Sequence, residues 1–326
     1  MKKAGRVAKE TVLIVVALVA VYFLVSVAIS KNLINPFQQV NLFLMGINII
    51  MATSLNLIVG FTGQLALGHA GFMAIGAYIS AVLTMKFGQP FLLATVVGAI
   101  AAAIMGVLIG IPTLRLRGDY LAIATLGMGE IIKVILLNIE YVGGAAGLIG
   151  IPQLTNWNWL FLYTVLTVVI LRNFINSTHG RACLAVREDE IAAETMGINT
   201  TKYKVMAFSI GAFFAGVAGS LYAHYFFLIQ PNTFSFLKSF DALVMVVLGG
   251  LGSLTGSIIA AVVITGINAL LQDLAALRMV IYSVILLVVM IYRPQGLMGT
   301  KELSFDLFRK NRSESRGTGT QSGTTV

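Results

Sequence analysis

The sequence predicts an all-α fold: a polytopic membrane helical bundle of about 10 (8–10) transmembrane segments, with glycine-broken helices. Three observations predict it. Only 11% of the 326 residues are charged, 58% are hydrophobic, and mean hydropathy is +0.91. A soluble domain carries about 25% charged residues, and half of that cannot cover the surface of a globule this long. Runs without Asp, Glu, Lys or Arg recur at 11–30, 32–85, 87–114, 141–171, 205–237, 242–272 and 279–292, and a helix needs about 20 mostly apolar residues to cross the hydrocarbon layer. The cations gather in the gaps between those runs, as loop charges that orient a membrane protein do.

These features exclude disorder, a disulfide-stapled secreted domain and an ordinary cytosolic enzyme. In lipid, backbone groups must be bonded within helices or closed barrels. Barrel strands would alternate apolar and polar positions over about ten residues. VLIVVALVAVYFLV (12–25) and SVILLVVMIY (283–292) are continuous apolar runs instead.

Taken in order, Lys2, Lys3, Arg6 and Lys9 precede the apolar stretch 11–30. That stretch is longer than the apolar core of a signal peptide, about 7–15 residues, so it reads as a retained first helix. Further spans are expected near 38–60, 65–85, 90–113, 119–139, 157–175, 205–229, 239–250, 253–272 and 275–292. The separation of 239–250 from 253–272 rests on Gly249, Gly250, Gly252 and Gly256, because each glycine weakens a helix interior by about 1 kcal/mol relative to Ala. With ten spans and an inside N-terminus, seventeen cations fall on the inside. Four, Lys31, Lys86, Lys238 and Arg278, fall outside. That asymmetry is the positive-inside pattern; eight spans, also even, remain open. Residues 1–300 then form a single transmembrane domain. The longest polar insert, 176–204, faces the cytoplasm, and the Ser/Thr/Gly-rich segment 301–326 is a disordered cytoplasmic tail.

Catalytic signatures are absent. There is no G-x-x-x-x-G-K-[ST] phosphate loop, no H-E-x-x-H and no G-x-S-x-G. His69, His179 and His224 are far apart and near no Cys or carboxylate cluster, so no metal site is expected. The single cysteine, Cys183, allows no intrachain disulfide. The net charge of +9 is spread over loops rather than clustered with aromatics on one face, which argues against nucleic acid.

Candidate transport residues remain. GFTGQLALGHAGF (60–72) interrupts an apolar run and holds Gly63, Gln64, Gly68 and His69. Glycines let the backbone leave helical geometry, and non-helical backbone at membrane depth is tolerated only inside protein or beside water. The segment is therefore a candidate translocation-path element; a tight turn between spans is the alternative. LGGLGSLTG (248–256) is a second interruption, with Gly250 and Gly252. Paired breaks of this kind often flank a transporter's substrate site. Thr125 and Glu130 join the path candidates. Glu130 and Lys133 share a helix face, either lining a pathway or fixing helix packing. Gly106-x-x-x-Gly110, Ala212-x-x-x-Gly216 and Ala215-x-x-x-Gly219 are small-residue spacings that let helices approach closely. In the insert, alanines favour a helix over 181–197 that Gly197 and Asn199 stop. A charged helix between spans reads as a docking element for a soluble partner, or as a solvated connector.

Ala192-Ala193-x-x-x-Gly197 resembles the E-A-A-x-x-x-G coupling loop of ABC importer permeases, with Ile191 where Glu is expected and Glu190 one place earlier. More broadly, GFTGQLALGHAGFMAIGAY (60–78), LRLRGDYLAIATLGMGEI (114–131), GRACLAVREDEIAAETMGI (180–198), LGGLGSLTG (248–256) and YRPQGLMG (292–299) resemble, in order, landmarks of the M-type permease of the high-affinity branched-chain amino-acid ABC importer family. The likeness covers roughly 35–300. It implies a permease subunit paired with a sister permease in the bacterial inner membrane, with both termini cytoplasmic. Two cytoplasmic ATP-binding subunits would drive it, and a periplasmic substrate-binding protein would supply leucine, isoleucine or valine. It implies no cofactor in this chain, since ATP is bound by the partner subunits. It assigns Arg187, Glu188, Glu190, Ala192, Ala193, Glu194 and Gly197 to coupling. Related permeases for urea or short amides share these landmarks and are one alternative. A stand-alone secondary transporter using Glu130, Asp241 and Asp273 is another.

Overall fold

A computed structural model describes residues 16, 19–31, 33–114, 116, 118–271, 284, 287, 291, 292 and 296–299. By its contacts the chain divides into two units, Met1–Leu33 with Lys301–Val326, and Ile34–Thr300. The first contains the helix α1, Val19–Ser30.

The described residues of the second unit are mainly helical. Its helices are α2 (Pro36–Thr62), α3 (His69–Lys86), α4 (Phe91–Thr113), α5 (Asp119–Asn138), α6 (Trp157–Asn176), α7 (Thr178–Glu188), α8 (Glu190–Thr195), α9 (Thr200–Ala223), α10 (Phe236–Gly249) and α11 (Leu254–Leu270). Capping residues set many of the boundaries. Pro36 opens α2, where its missing N–H costs nothing, and Gly63 closes it at φ +68° with the Gln64 N–H bonded to the Ile58 carbonyl. Ser177, Asp189, Asn199 and Ser253 cap α7, α8, α9 and α11, each accepting from a backbone N–H in the first turn.

Among the described residues, six stretches are long and apolar enough to cross a membrane: Pro36–Thr62, Phe91–Thr113, Asp119–Asn138, Trp157–Asn176, Thr200–Ala223 and Pro231–Gly249. The chain is thus a multi-pass helical membrane protein. About ten spans are not reached among the described residues. Helices α1 and α11 are shorter, and the expected span 275–292 lies largely outside the described residues, as do the tail 301–326 and Arg115, Arg117 and Asp273.

One expected span, 205–229, is corrected. Helix α9 starts earlier, at its Asn199 cap, and stops at Ala223. Beyond it, the backbone pairs across the chain instead of continuing the helix. Strand β2 (Leu228–Ile229) runs antiparallel to β1 (Leu148–Ile149), and the Phe227 carbonyl accepts from the N–H groups of Gly150 and Ile151. Pro231 then opens a 3-10 turn, Pro231–Phe234.

The core lies where α2, α3, α4 and α9 meet, with Ile47, Leu55, Met73, Ala99 and Ala212 among its buried side chains. Small residues set the helix spacing. A Cβ on Gly216 would stand 2.7 Å from the Ala102 Cβ and 3.0 Å from the Ala99 Cα. One on Gly106 would stand 2.7 Å from the Ala212 Cβ, and one on Gly76 would overlap the Gly216 backbone. Without a hydrophobic force between helices in lipid, such close backbone approach supplies the van der Waals gain. Gly216→Val should therefore lower stability by at least about 1–3 kcal/mol, read as a lower melting temperature in detergent. Gly127, which has open space around it, is the control: Gly127→Ala should raise stability by up to ~1 kcal/mol.

Candidate functional site

The sequence-selected residues fall into two clusters rather than one. The first is built around the C-terminal end of α2. An α-helix leaves its last four carbonyls without intrahelical partners. One of these, the Gly60 carbonyl, accepts a hydrogen bond of 2.6 Å from Nη1 of Arg187, the penultimate residue of α7. Gly63 and Gly252 flank the same side chain: a Cβ on Gly63 would stand 3.3 Å from the Arg187 Cγ, and one on Gly252 would stand 2.6 Å from its Nη1. Both glycines have positive φ, +68° and +87°, where a side chain would be strained.

Asn56, fully buried on α2, ties this region to the turn between α10 and α11. Its amide nitrogen donates to the Ser253 carbonyl and the Ser257 hydroxyl, both at 2.8 Å, and its oxygen accepts from the Gly252 N–H at 3.0 Å. Gly250, at φ +113°, packs against Gly296, while the N–H groups of Leu297 and Met298 bond to the last carbonyls of α10, Leu248 and Gly249. Residues 296–298 of the motif near 292–299 therefore close the end of α10.

The insert 176–204 is not one helix over 181–197. Asp189 leaves helical geometry (φ −157°), separating α7 from α8, and its carboxylate accepts from the N–H groups of Ile191 and Ala192. An acidic cap in mid-segment ends one helix and starts another. Glu190 pairs with Lys204 of α9 at 2.6 Å, and Glu194 accepts from the Thr200 hydroxyl at 2.7 Å. Ala193 is buried and Ala192 exposed; Gly197, at φ +82° with open space around it, ends the α8 turn. Glu188 remains outward, its side chain 77% exposed. The outward apolar groups are Ile191 and Met196, at 65% and 83% exposed.

The second cluster gathers where α3 and α10 begin. Both starts rest against α5, between Thr125 and Glu130, about 9 and 17 Å along that helix from Asp119 at 1.5 Å per residue. The Leu67 N–H bonds to the Thr125 hydroxyl at 3.0 Å, and a Cβ on Gly68 would overlap the Thr125 carbonyl. The Ala70 N–H bonds to the Ser239 hydroxyl at 2.8 Å, and the Phe236 N–H to Glu130 Oε1 at 3.1 Å. Glu130 Oε2 pairs with Lys133, so this carboxylate caps α10 while holding its ion partner. His69, 1% exposed, contacts the Ser54 hydroxyl through Nε2 at 2.9 Å. Its Nδ1 and both polar side-chain atoms of Gln64 are buried without a hydrogen-bond partner among the described residues. These atoms are able to bond water or the polar end of a solute.

Sequence reasoning missed Asn48, Ser54, Asn56, Lys204 and Lys238. Lys238 does not sit in an outer loop; its Nζ donates to Asn48 Oδ1 at 3.2 Å, and Asn48 donates to the Thr265 hydroxyl at 3.0 Å. For Asn48, Ser54 and Asn56 the available signal was their place within the apolar run 38–60, since such groups face protein rather than lipid.

Cys183, buried on the inner side of α7 within the insert, reports on its integrity. Burial pushes its thiol up to about 11, and the thiolate is the reactive form. Maleimide at pH 7 should leave the folded protein unlabelled and label Cys183 after denaturation; fast labelling of the native chain would contradict this burial.

Residues 40–292 match the family described as branched-chain amino acid transport system / permease component. The chain is 38% identical over 287 residues to the high-affinity branched-chain amino acid transport system permease protein LivM of Salmonella typhimurium, covering 77% of this chain and 68% of that protein. The LivM of Escherichia coli matches to the same extent. The LivH permease protein of Escherichia coli is 27% identical over 288 residues, or 78% of this chain and 92% of its own. No solved structure matches. The chain therefore belongs to the permease-component family of branched-chain amino acid transport systems.

Proposed function

We propose that this chain is the permease subunit of an ABC importer and forms the translocation path for branched-chain amino acids. Separate ATPase subunits bind the ATP, so the chain needs no cofactor of its own. A sister permease completes the membrane portion, as the likeness to both LivM and LivH proteins suggests, and a periplasmic binding protein delivers the solute. In this reading 1–300 is one permease domain of about ten spans with glycine-broken helices. It lies in the bacterial inner membrane with both termini and the tail 301–326 in the cytoplasm.

The observation that carries this reading is the two-sided insert. On the cytoplasmic side it presents Ile191 and Met196, exposed apolar groups on a short capped turn. On its other side it contacts the glycine turns of the bundle through Arg187. Two large apolar side chains exposed on one short turn outside the helices long enough to span lipid suit a protein contact better than water, and the ATPase is the partner that a permease requires there. Glu190 and Glu194 act indirectly, by holding α8 to the start of α9. Gln64 and His69, with buried unpartnered atoms, and the neighbouring Gly68, Thr125 and Glu130 line the path. Gly63, Gly250 and Gly252 provide its hinges.

Two outcomes test this. In proteoliposomes the chain alone should not accumulate leucine on any ion gradient, whereas the full set of subunits should do so with ATP. Uphill uptake by the chain alone would establish the secondary-transporter alternative. Ile191→Asp with Met196→Asp should reduce ATPase-subunit co-purification and leucine uptake at least about tenfold, as loss of apolar interface anchors does, with Cys183 still protected.

A further inference from the structure

We propose that Arg187 is the positioning residue that transmits movement of the insert into the bundle. Its guanidinium is a key seated between the last turn of α2 and the turn joining α10 to α11. The inference rests on the ABC-importer reading and adds to it the part by which docking reaches the helices.

The seat is specific. The Gly60 carbonyl belongs to the partial negative end of the α2 dipole, which favours a cation. The bond of 2.6 Å is charge-assisted. On the other side, Gly252 admits the guanidinium only because it lacks a Cβ, which would stand 2.6 Å from Nη1. Gly63 leaves room for the stem. Asn56 joins the two walls by hydrogen bonds from α2 to Gly252, Ser253 and Ser257. Arginine suits such a slot because its guanidinium is planar, permanently charged and presents donors in a fixed fork; a lysine ammonium is a compact point charge.

The seat is also releasable. The Arg187 side chain is 26% exposed, and its Nε already lies 3.8 Å from Glu188 Oε1. Glu188 is the alternative partner if α7 withdraws. Two arrangements follow: Arg187 on Gly60, with α2 and the Gly250–Ser253 turn held together, or Arg187 turned to Glu188, with them free to part. A partner that pulls on α8, which starts three residues further on across the Asp189 break, biases the choice between these states.

The test uses the complete transporter in proteoliposomes and reads leucine carried per ATP hydrolysed. Arg187→Ala should lower that ratio about tenfold, the effect of losing one charge-assisted hydrogen bond, and Arg187→Lys should recover part of it. Gly252→Ala leaves the arginine in place but crowds its seat, and should lower the ratio similarly. The double variant should be no worse than either single one, because both act on the same contact. Protection of Cys183 from maleimide confirms that each variant is folded. A wild-type ratio in folded Arg187→Ala, or losses that multiply in the double variant, would overturn the inference. Uptake by the wild type without ATPase subunits would instead overturn the reading beneath it.

Discussion

A helix that stops inside a bundle leaves terminal N–H and C=O groups that water cannot reach, and an unbonded group there costs several kcal/mol in hydrocarbon. The rest of this structure follows from how those ends are met. The start of α10 is met by the Glu130 carboxylate and the first turn of α3 by the Ser239 hydroxyl. The last carbonyls of α10 are met by the chain at Leu297 and Met298, and one of those of α2 by Arg187. Each of these partners comes from a distant part of the sequence, so each helix end is also a tie between elements.

That economy explains why polar groups are concentrated at helix ends, and why the polar side chains within α2 are bonded to neighbouring elements. Asn48, Ser54 and Asn56 project from the buried part of α2, and each reaches a different neighbour: α11, His69 and the Gly250–Ser253 turn. Close packing of α3, α4 and α9 through glycine and alanine supplies a stiff frame. Against it, the turns at 63–68 and 250–253 are short segments without helical bonding. A rigid frame with two bonded but non-helical turns is the arrangement that lets a small displacement be concentrated at a few dihedrals.

Much of this was legible from the residues alone. The positions of α2 through α6 follow from hydropathy, and the small-residue spacings do bring helices into contact. The spacing Ala212-x-x-x-Gly216 places its glycine against Ala102 and its alanine against Gly106. The insert's internal break was not legible, because the same alanine-rich pattern suits one helix or two, and only the Asp189 side chain turning onto the next N–H groups decides. Nor was the end of α9: nothing in the apolar run 205–237 announces that Leu228 and Ile229 will pair with Leu148 and Ile149.

The sequence by itself determined that the chain is an all-helical membrane protein, and which segments carry glycine turns and charge, because burial in lipid imposes composition and length on each segment separately. Tertiary structure alone decided what the charged and polar residues are for. Glu190 turns to Lys204, Glu130 to α10, and Arg187 to Gly60. The physical reason is range: hydropathy acts on each residue where it stands, whereas a hydrogen bond or ion pair is defined only once its second partner, often a hundred residues away, has been brought within about 3 Å.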